Sequence, residues 1–438
     1  MNFRRKSYII TKIYNFYAKL HNMGTNSFIK KKLLELKNSN NLRELRFSAG
    51  VDFSSNDYLG LANHPKIKQT IINSLNSGLT IGSSGSRLLT GNKKEHSELE
   101  EFAADYFNSE ACLFFSSGFL ANYSLFTTLP QRKDFIIYDE LIHASIRDGI
   151  KASDAKSIKF KHNDLNSLKE KIEKAQSLNA NSIWIGIESV YSMDGDIADI
   201  KGIIELIKNY TNIYLIIDEA HATGIFGKDG KGFVYDTLHK QQQQEAKSKK
   251  QKVKGNKVLG EARALEGCHC EEPETSDEAI QTFCLLPFAF CSNIITLHTC
   301  SKALGVSGAL VCASKEIIEY LINKSRPFIY TTAESPIIAV AVKESLKLVQ
   351  EESWRREKLL KLIEYTNKNY LNTKTQIIPI ILNDNSQALS AASLLQAKGF
   401  DVRAIRPPTV PSARLRISLN VNRTKQEIDE LFKMVNRK

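Results

Sequence analysis

Lys302 has the surroundings of a reactive amine. It follows an apolar run, Ile294 to His298, and the polar residues Thr299, Cys300 and Ser301. The small residues Ala303, Gly305, Ser307, Gly308 and Ala309 come after it. The run reads as a short buried strand, and the small residues let a bulky ligand approach the backbone closely. A lysine so placed can work as a Schiff-base amine when burial or a neighbouring charge lowers its affinity for a proton. Taken alone, SKALG reads first as a surface loop carrying a lysine. The second reactive stretch is IYLIIDEAHATG, where Asp218 closes a continuous hydrophobic strand and His221 follows three residues later. In an open parallel sheet ligands sit beyond the carboxyl ends of the strands, so Asp218 and His221 would reach one crevice. Taken separately, Asp218 reads as a helix cap and His221 as a buried hydrogen-bonding histidine.

In combination the two stretches describe one chemistry. A lysine that holds an aldehyde carbon and an aspartate that keeps a pyridine nitrogen protonated are what pyridoxal phosphate needs to act as an electron sink. Other candidates sit at similar places. In ACLFFSSGFLAN a strand, a small-residue turn and a helix with Phe119 and Asn122 near its start form a phosphate-type cradle at Gly118, or a tight packing turn. His143, after the strand Phe135 to Tyr138, could stack on a flat aromatic ring or occupy a helix face. Ser189 and Asp194 follow the strand Ser182 to Glu188. Asn56 and Tyr58 in NDYLG could face a ligand, or Asn56 and Asp57 could simply make the turn. In ARLRISL, Arg414 and Arg416 share one face and could grip a carboxylate, or be solvated arginines of an edge strand.

Strands alternating with helices at this spacing predict a doubly wound, mostly parallel α/β sheet. After Thr331 and Thr332 the chain reads as one or two long helices, then strand, helix, strand, strand, a small α+β domain. The expected organisation is a basic arm over 1–47, a large domain over 48–339 and a small C-terminal domain over 340–438. Within the large domain, 240–286 is low in complexity, with eight basic and eight acidic residues, and is expected as a surface insertion.

The net charge of +12 invites a nucleic-acid reading, but residues 1–46 alone hold eleven basic residues against two acidic ones. The remainder is nearly balanced, which argues against a nucleic-acid partner. No apolar run is long enough to span a bilayer, and a membrane partner is not expected. The aromatic and basic first 25 residues resemble an amphipathic surface segment, and translation starting at Met23 is the simpler expectation. Seven cysteines without a secretory signal fit a reducing cytoplasm. Cys268, His269 and Cys270 lie too close together for all three to bind one ion, so no metal is expected.

NDYLG, GSSGSR, SSGFLAN, SVYSMDGD, DEAHATG, SKALGVSG and IRPPTVPSARLRISL occur in the order found in the pyridoxal-phosphate-dependent α-oxoamine synthases. The chain resembles that family from about Val51 to the C-terminus, apart from 240–286. The resemblance implies a fold-type I transferase and a homodimer. It implies that pyridoxal 5'-phosphate is held by Lys302, Asp218 at the pyridine nitrogen, His221 at the phenolic oxygen and His143 over the ring. Gly118, Phe119, Ser189 and Thr299 would surround the cofactor, and Thr331 or Thr332 would reach it from the partner subunit. Arg416, with Asn56 and Arg46, would contact substrate. The implied reaction is a decarboxylative condensation of L-alanine with a pimeloyl thioester, on coenzyme A or an acyl carrier protein; a sister enzyme using glycine is the alternative. Two departures stand out: Ser84 in GSSGSR, where the family commonly has glycine, expected to crowd the substrate channel slightly, and the insertion itself.

Overall fold

The computed structural model describes residues 25–240 and 293–435. The first half of the basic arm, the 240–286 segment beyond Lys240, and Cys268, His269 and Cys270 lie outside the described residues. The chain divides into two compact units, one of residues 1–54 and 379–417, the other of 55–378 and 418–438.

The larger unit is built on a seven-stranded sheet. Its strands are β2 (Ala111–Phe115), β3 (Phe135–Asp139), β4 (Lys156–Phe160), β5 (Ile183–Glu188), β6 (Ile213–Asp218), β7 (Ile294–Thr299) and β8 (Ala309–Ala313), in the order β2-β8-β7-β6-β5-β3-β4. Only β8 runs against its neighbours; β4, β3, β5, β6 and β7 pair in parallel. Helices cover both faces because the central strands are apolar on both faces. Ile136 and Ile216 pack with Ala121, Leu125 and Ile146 of the helices Gly118–Thr128 and Ala144–Ala152. Ile137, Leu215 and Ile217 pack on the other side with Leu168, Ile172, Ile203 and Ile207 of the helices Leu165–Ser177 and Ile200–Ile207. This is the doubly wound sheet expected from the alternation, with one antiparallel strand added. Strand β8 falls in the small-residue stretch after Lys302, where low side-chain volume concealed it.

In the smaller unit β1 (Val51–Asp52) pairs in parallel with β10 (Phe400–Asp401). A three-stranded sheet has the order β11 (Arg403–Ile405), β12 (Arg414–Ser418), β9 (Ile377–Ile381). Strand β12 is therefore central, and every residue in it is buried, Arg414 and Arg416 included. The reading of these arginines as solvated edge-strand residues is thereby corrected. Alternation along the strand placed both on one face, but that face is covered.

Ser84 is exposed and sits at φ 65°, the left-handed region where an L side chain costs roughly 1–2 kcal/mol. It therefore carries a backbone cost. Ser84→Gly should raise stability by about 0.5–1 kcal/mol, the relief being partly offset by glycine's larger unfolded-state entropy. A thermal melt of the variant that is unchanged or lower would contradict this.

Candidate active site

Strands β5, β6 and β7 end at one edge of the sheet, and the register places Glu188 opposite Asp218 and Asp218 opposite Leu297. The residues that follow those ends form the site. Thr299 closes β7, Lys302 lies in the turn after it, and His221 lies in the turn after β6.

Lys302 Nζ is 2.8 Å from His221 Nε2, and His221 Nδ1 is 2.8 Å from the Tyr58 hydroxyl. That hydroxyl donates to Asn56 Oδ1 at 2.9 Å. A phenol has one proton to give, so Tyr58 accepts from His221 Nδ1–H, which leaves Nε2 as the acceptor for the lysine amine. The donors thus run in one direction from Lys302 to Asn56. Gln376 Nε2 donates to the His221 carbonyl at 2.9 Å and anchors the turn. Asn56 and Tyr58 are consequently more than turn residues.

Asp218 is buried and held by two donors: Asn122 Nδ2 to Oδ2 at 2.6 Å and the Ala220 amide to Oδ1 at 2.9 Å. Asn122 also donates to the Ser145 hydroxyl at 3.1 Å, and His143 Nδ1 is 2.7 Å from the same hydroxyl. His143 caps the helix Ala144–Ala152 by accepting from the Ser145 amide. Its affinity for a proton is lowered, first by burial, with Asp218 opposing and Lys302 adding to the effect. Ser189 is fully buried and donates from its amide and its hydroxyl to the Asp218 carbonyl, at 2.9 and 3.4 Å.

Gly118 begins an eleven-residue helix whose preceding Ser117 accepts from the Leu120 amide at 3.2 Å. A Cβ on Gly118 would collide with the Thr299 hydroxyl, so glycine keeps this helix start open beside the end of β7. Phe119 is half exposed. Gly118→Ala should weaken cofactor retention about tenfold, equivalent to roughly 1.4 kcal/mol, with Thr299→Ala in the same background restoring the lost melting temperature. Equal melting temperatures for Gly118→Ala and the parent would contradict the collision.

The remaining candidates have surroundings of their own. Thr331 and Thr332 line a small cavity of the same chain with Ser116, Arg87 and Phe328. Arg46 and Arg416 belong to the smaller unit, where Arg46 is an exposed partner of Glu44 at 2.8 Å and Arg416 is buried. Asn122, Ser145, Gln376 and Glu188 were not assigned roles from sequence. Asn122 had a signal, an amide four residues after Gly118 in the first turns of the helix that opens there.

His162 was missed altogether. Its Nδ1 is 2.8 Å from Asp139 and its Nε2 2.7 Å from Asp196, which ties the end of β3 to the turn after β5. Burial opposes its charge, but the two carboxylates prevail and push it up to about 10.

The arrangement fits pyridoxal phosphate on its own terms. An amine and a buried carboxylate follow adjacent parallel strands, an imidazole joins each network, and an open helix start offers amides to a phosphate. Asn122 Oδ1 and Glu188 Oε1 are buried and lack a hydrogen-bond partner among the described residues.

Comparison with known proteins agrees with the geometry. The family model for aminotransferase class I and II matches residues 48–245 and 274–435. A putative 8-amino-7-oxononanoate synthase of Aquifex aeolicus is 33% identical over 414 residues, covering 92% of this chain and 96% of its own. An 8-amino-7-oxononanoate synthase of Hydrogenovibrio crunogenus is 36% identical, covering 87% and 85%. The crystal structure of 8-amino-7-oxononanoate synthase from Francisella tularensis superposes with a TM-score of 0.67 at 28% identity, covering 88% and 96%. A serine palmitoyltransferase from S. paucimobilis with bound PLP, at 22% identity and covering 93% and 95%, shares the fold with a TM-score of 0.72. The chain belongs to the aminotransferase class I and II family, with the fold-type I architecture of pyridoxal-phosphate transferases. Within it, the chain is an acyltransferase of the 8-amino-7-oxononanoate synthase type, and its cofactor is pyridoxal 5'-phosphate.

Proposed function

We propose that the protein condenses L-alanine with a pimeloyl thioester, carried on coenzyme A or an acyl carrier protein, to give 8-amino-7-oxononanoate for biotin biosynthesis. A carbon–carbon bond forms between the alanine α-carbon and the thioester carbonyl. The carbon–sulfur bond breaks to release the thiol, and the alanine carboxylate leaves as carbon dioxide. The observation that carries the reading is the one-way donor chain from Lys302 through His221 and Tyr58 to Asn56, together with relatives of 33–36% identity bearing that synthase's name.

Bound pyridoxal phosphate supplies the electron sink that makes a carbanion at the alanine α-carbon accessible. Lys302 would hold the cofactor's aldehyde carbon and then move the proton at that α-carbon. His221 and Tyr58 orient the amine. Asp218, positioned by Asn122 and Ala220, would keep the pyridine nitrogen protonated, and His143 would cover the ring. Gly118, Phe119, Ser189 and Thr299 would surround the cofactor, with Thr331 or Thr332 of the partner subunit of a homodimer. For the substrate carboxylate the family resemblance points to Arg416, with Asn56 and Arg46 as further substrate contacts. No described helix is long and apolar enough to cross a membrane. We place the enzyme in the cytoplasm, where the buried free thiols of Cys112, Cys300 and Cys312 would stay reduced.

The test is a product assay with alanine or glycine and pimeloyl thioester. Product carrying the alanine methyl group is expected. Product from glycine alone would instead identify a glycine-using sister synthase, and no product from either would overturn the reading.

A further inference from the structure

Glu188 is the buried acid of the site that the reaction leaves unused. It ends β5 directly opposite Asp218, and paired residues of adjacent parallel strands point to the same face, so two carboxyl groups are buried side by side. Two such groups cannot both ionise cheaply; one keeps a proton. The donors around them decide which. Asp218 receives the Asn122 amide at 2.6 Å and the Ala220 amide at 2.9 Å, one on each oxygen. Glu188 receives the Ser192 amide on Oε2 at 3.3 Å, the His143 amide acts on it without forming a hydrogen bond within ordinary distance, and its Oε1 has no hydrogen-bond partner among the described residues. The better-solvated anion is therefore Asp218.

We propose that Glu188 is a positioning residue that stays protonated beside Asp218, so that Asp218 alone carries the negative charge at this edge of the sheet. Its proton sits on Oε1, where it is offered as a donor to an oxygen or nitrogen acceptor of whatever occupies the site. The inference concerns the charge of the pocket and stands whichever amino acid is the substrate. The titratable groups facing Glu188 are Asp218 from β6, Lys302 from the turn after β7, His143 ahead of its helix and Tyr191 in the turn after β5. Burial first and Asp218 second push its carboxyl up to about 8, against Lys302 and the backbone amides of Ser192 and His143. Glu219 reaches a similar value by burial, but its carboxylate is occupied by the Phe233 and Val234 amides at 3.0 and 3.2 Å. It is a control of the same residue type next to Asp218.

The sign of the pH effect follows. A carboxyl whose folded value lies above its ordinary 4.5 adds stability that is complete below 4.5 and is lost as the pH rises through about 8. Glu188→Gln keeps the shape and the neutral charge and has nothing to lose. Thermal melts of the cofactor-free protein from pH 5 to 9 should show the parent falling by several degrees relative to Glu188→Gln, whereas Glu219→Gln leaves the Glu188 share of that slope in place. In the loaded protein, cofactor loss on dilution, followed by visible absorbance, should steepen above pH 8 in the parent and not in Glu188→Gln. Identical pH slopes for parent and Glu188→Gln would overturn the proposal. If the variant does not fold, the parent itself decides. An infrared carboxylic-acid band of isotope-labelled glutamate at pH 7 that disappears above pH 9 supports a buried neutral glutamate, and its absence overturns it.

Discussion

Product formation by Lys302→Ala is expected to fall by on the order of 10⁴-fold, the upper range for losing a positioned proton-transfer group. His221 Nε2, 2.8 Å from the amine, is left without its donor in Lys302→Ala, but an imidazole cannot hold the cofactor's aldehyde carbon as a primary amine would, and its other nitrogen stays engaged by Tyr58. Lys302→Arg should be no better, because a guanidinium stays protonated and cannot collect a proton. Both variants should keep the parent's circular dichroism, since Lys302 sits in a turn beyond the strand end and not in the core. Single-turnover product measurement with alanine and pimeloyl thioester is the check. Residual turnover within tenfold of the parent would remove Lys302 from the chemistry.

At Asp218 the charge and the shape can be separated. Asp218→Asn keeps the volume and an oxygen for the Ala220 amide, but removes the negative charge and sets an amide donor against Asn122 Nδ2, and activity should drop about 10²–10³-fold, the range for losing one preorganised electrostatic contact. Asp218→Ala should lose at least as much activity and also destabilise the fold. It strands the buried donors of Asn122 and Ala220, each at a cost of roughly 1–3 kcal/mol. Activity and melting temperature measured together distinguish the two. If Asp218→Asn keeps parent-like turnover, the carboxylate is structural and the assignment at the pyridine nitrogen fails.

Both predictions concern residues that the sequence marks by simple means. Ile213–Ile217 is apolar without interruption and Ile294–Leu297 is broken only by Thr296, as suits strands covered on both faces, so Asp218 at the end of the first run stands at the sheet's carboxyl edge. The helix expected over Lys94 to Phe107 is formed over those residues, because its apolar spacing is unambiguous. Strand β8 escaped notice because alanine, valine and leucine after a glycine turn carry no period. The partners of the reactive groups were less visible. Asn122 meets Asp218 across two elements, and Gln376 reaches the His221 carbonyl from far along the chain.

The chain's own order of residues determines where each strand of the larger unit ends, and therefore which side chains can stand at the sheet's carboxyl edge. Hydrophobic burial acts on local pattern, and the pattern is written in consecutive residues. Only the tertiary structure decides which ends become neighbours: that β5 lies against β6 and sets Glu188 beside Asp218, and that β12 is central and buries Arg414 and Arg416. Proton affinity and hydrogen-bond direction depend on distances between groups far apart in the chain, and those distances exist only once the sheet has closed around them.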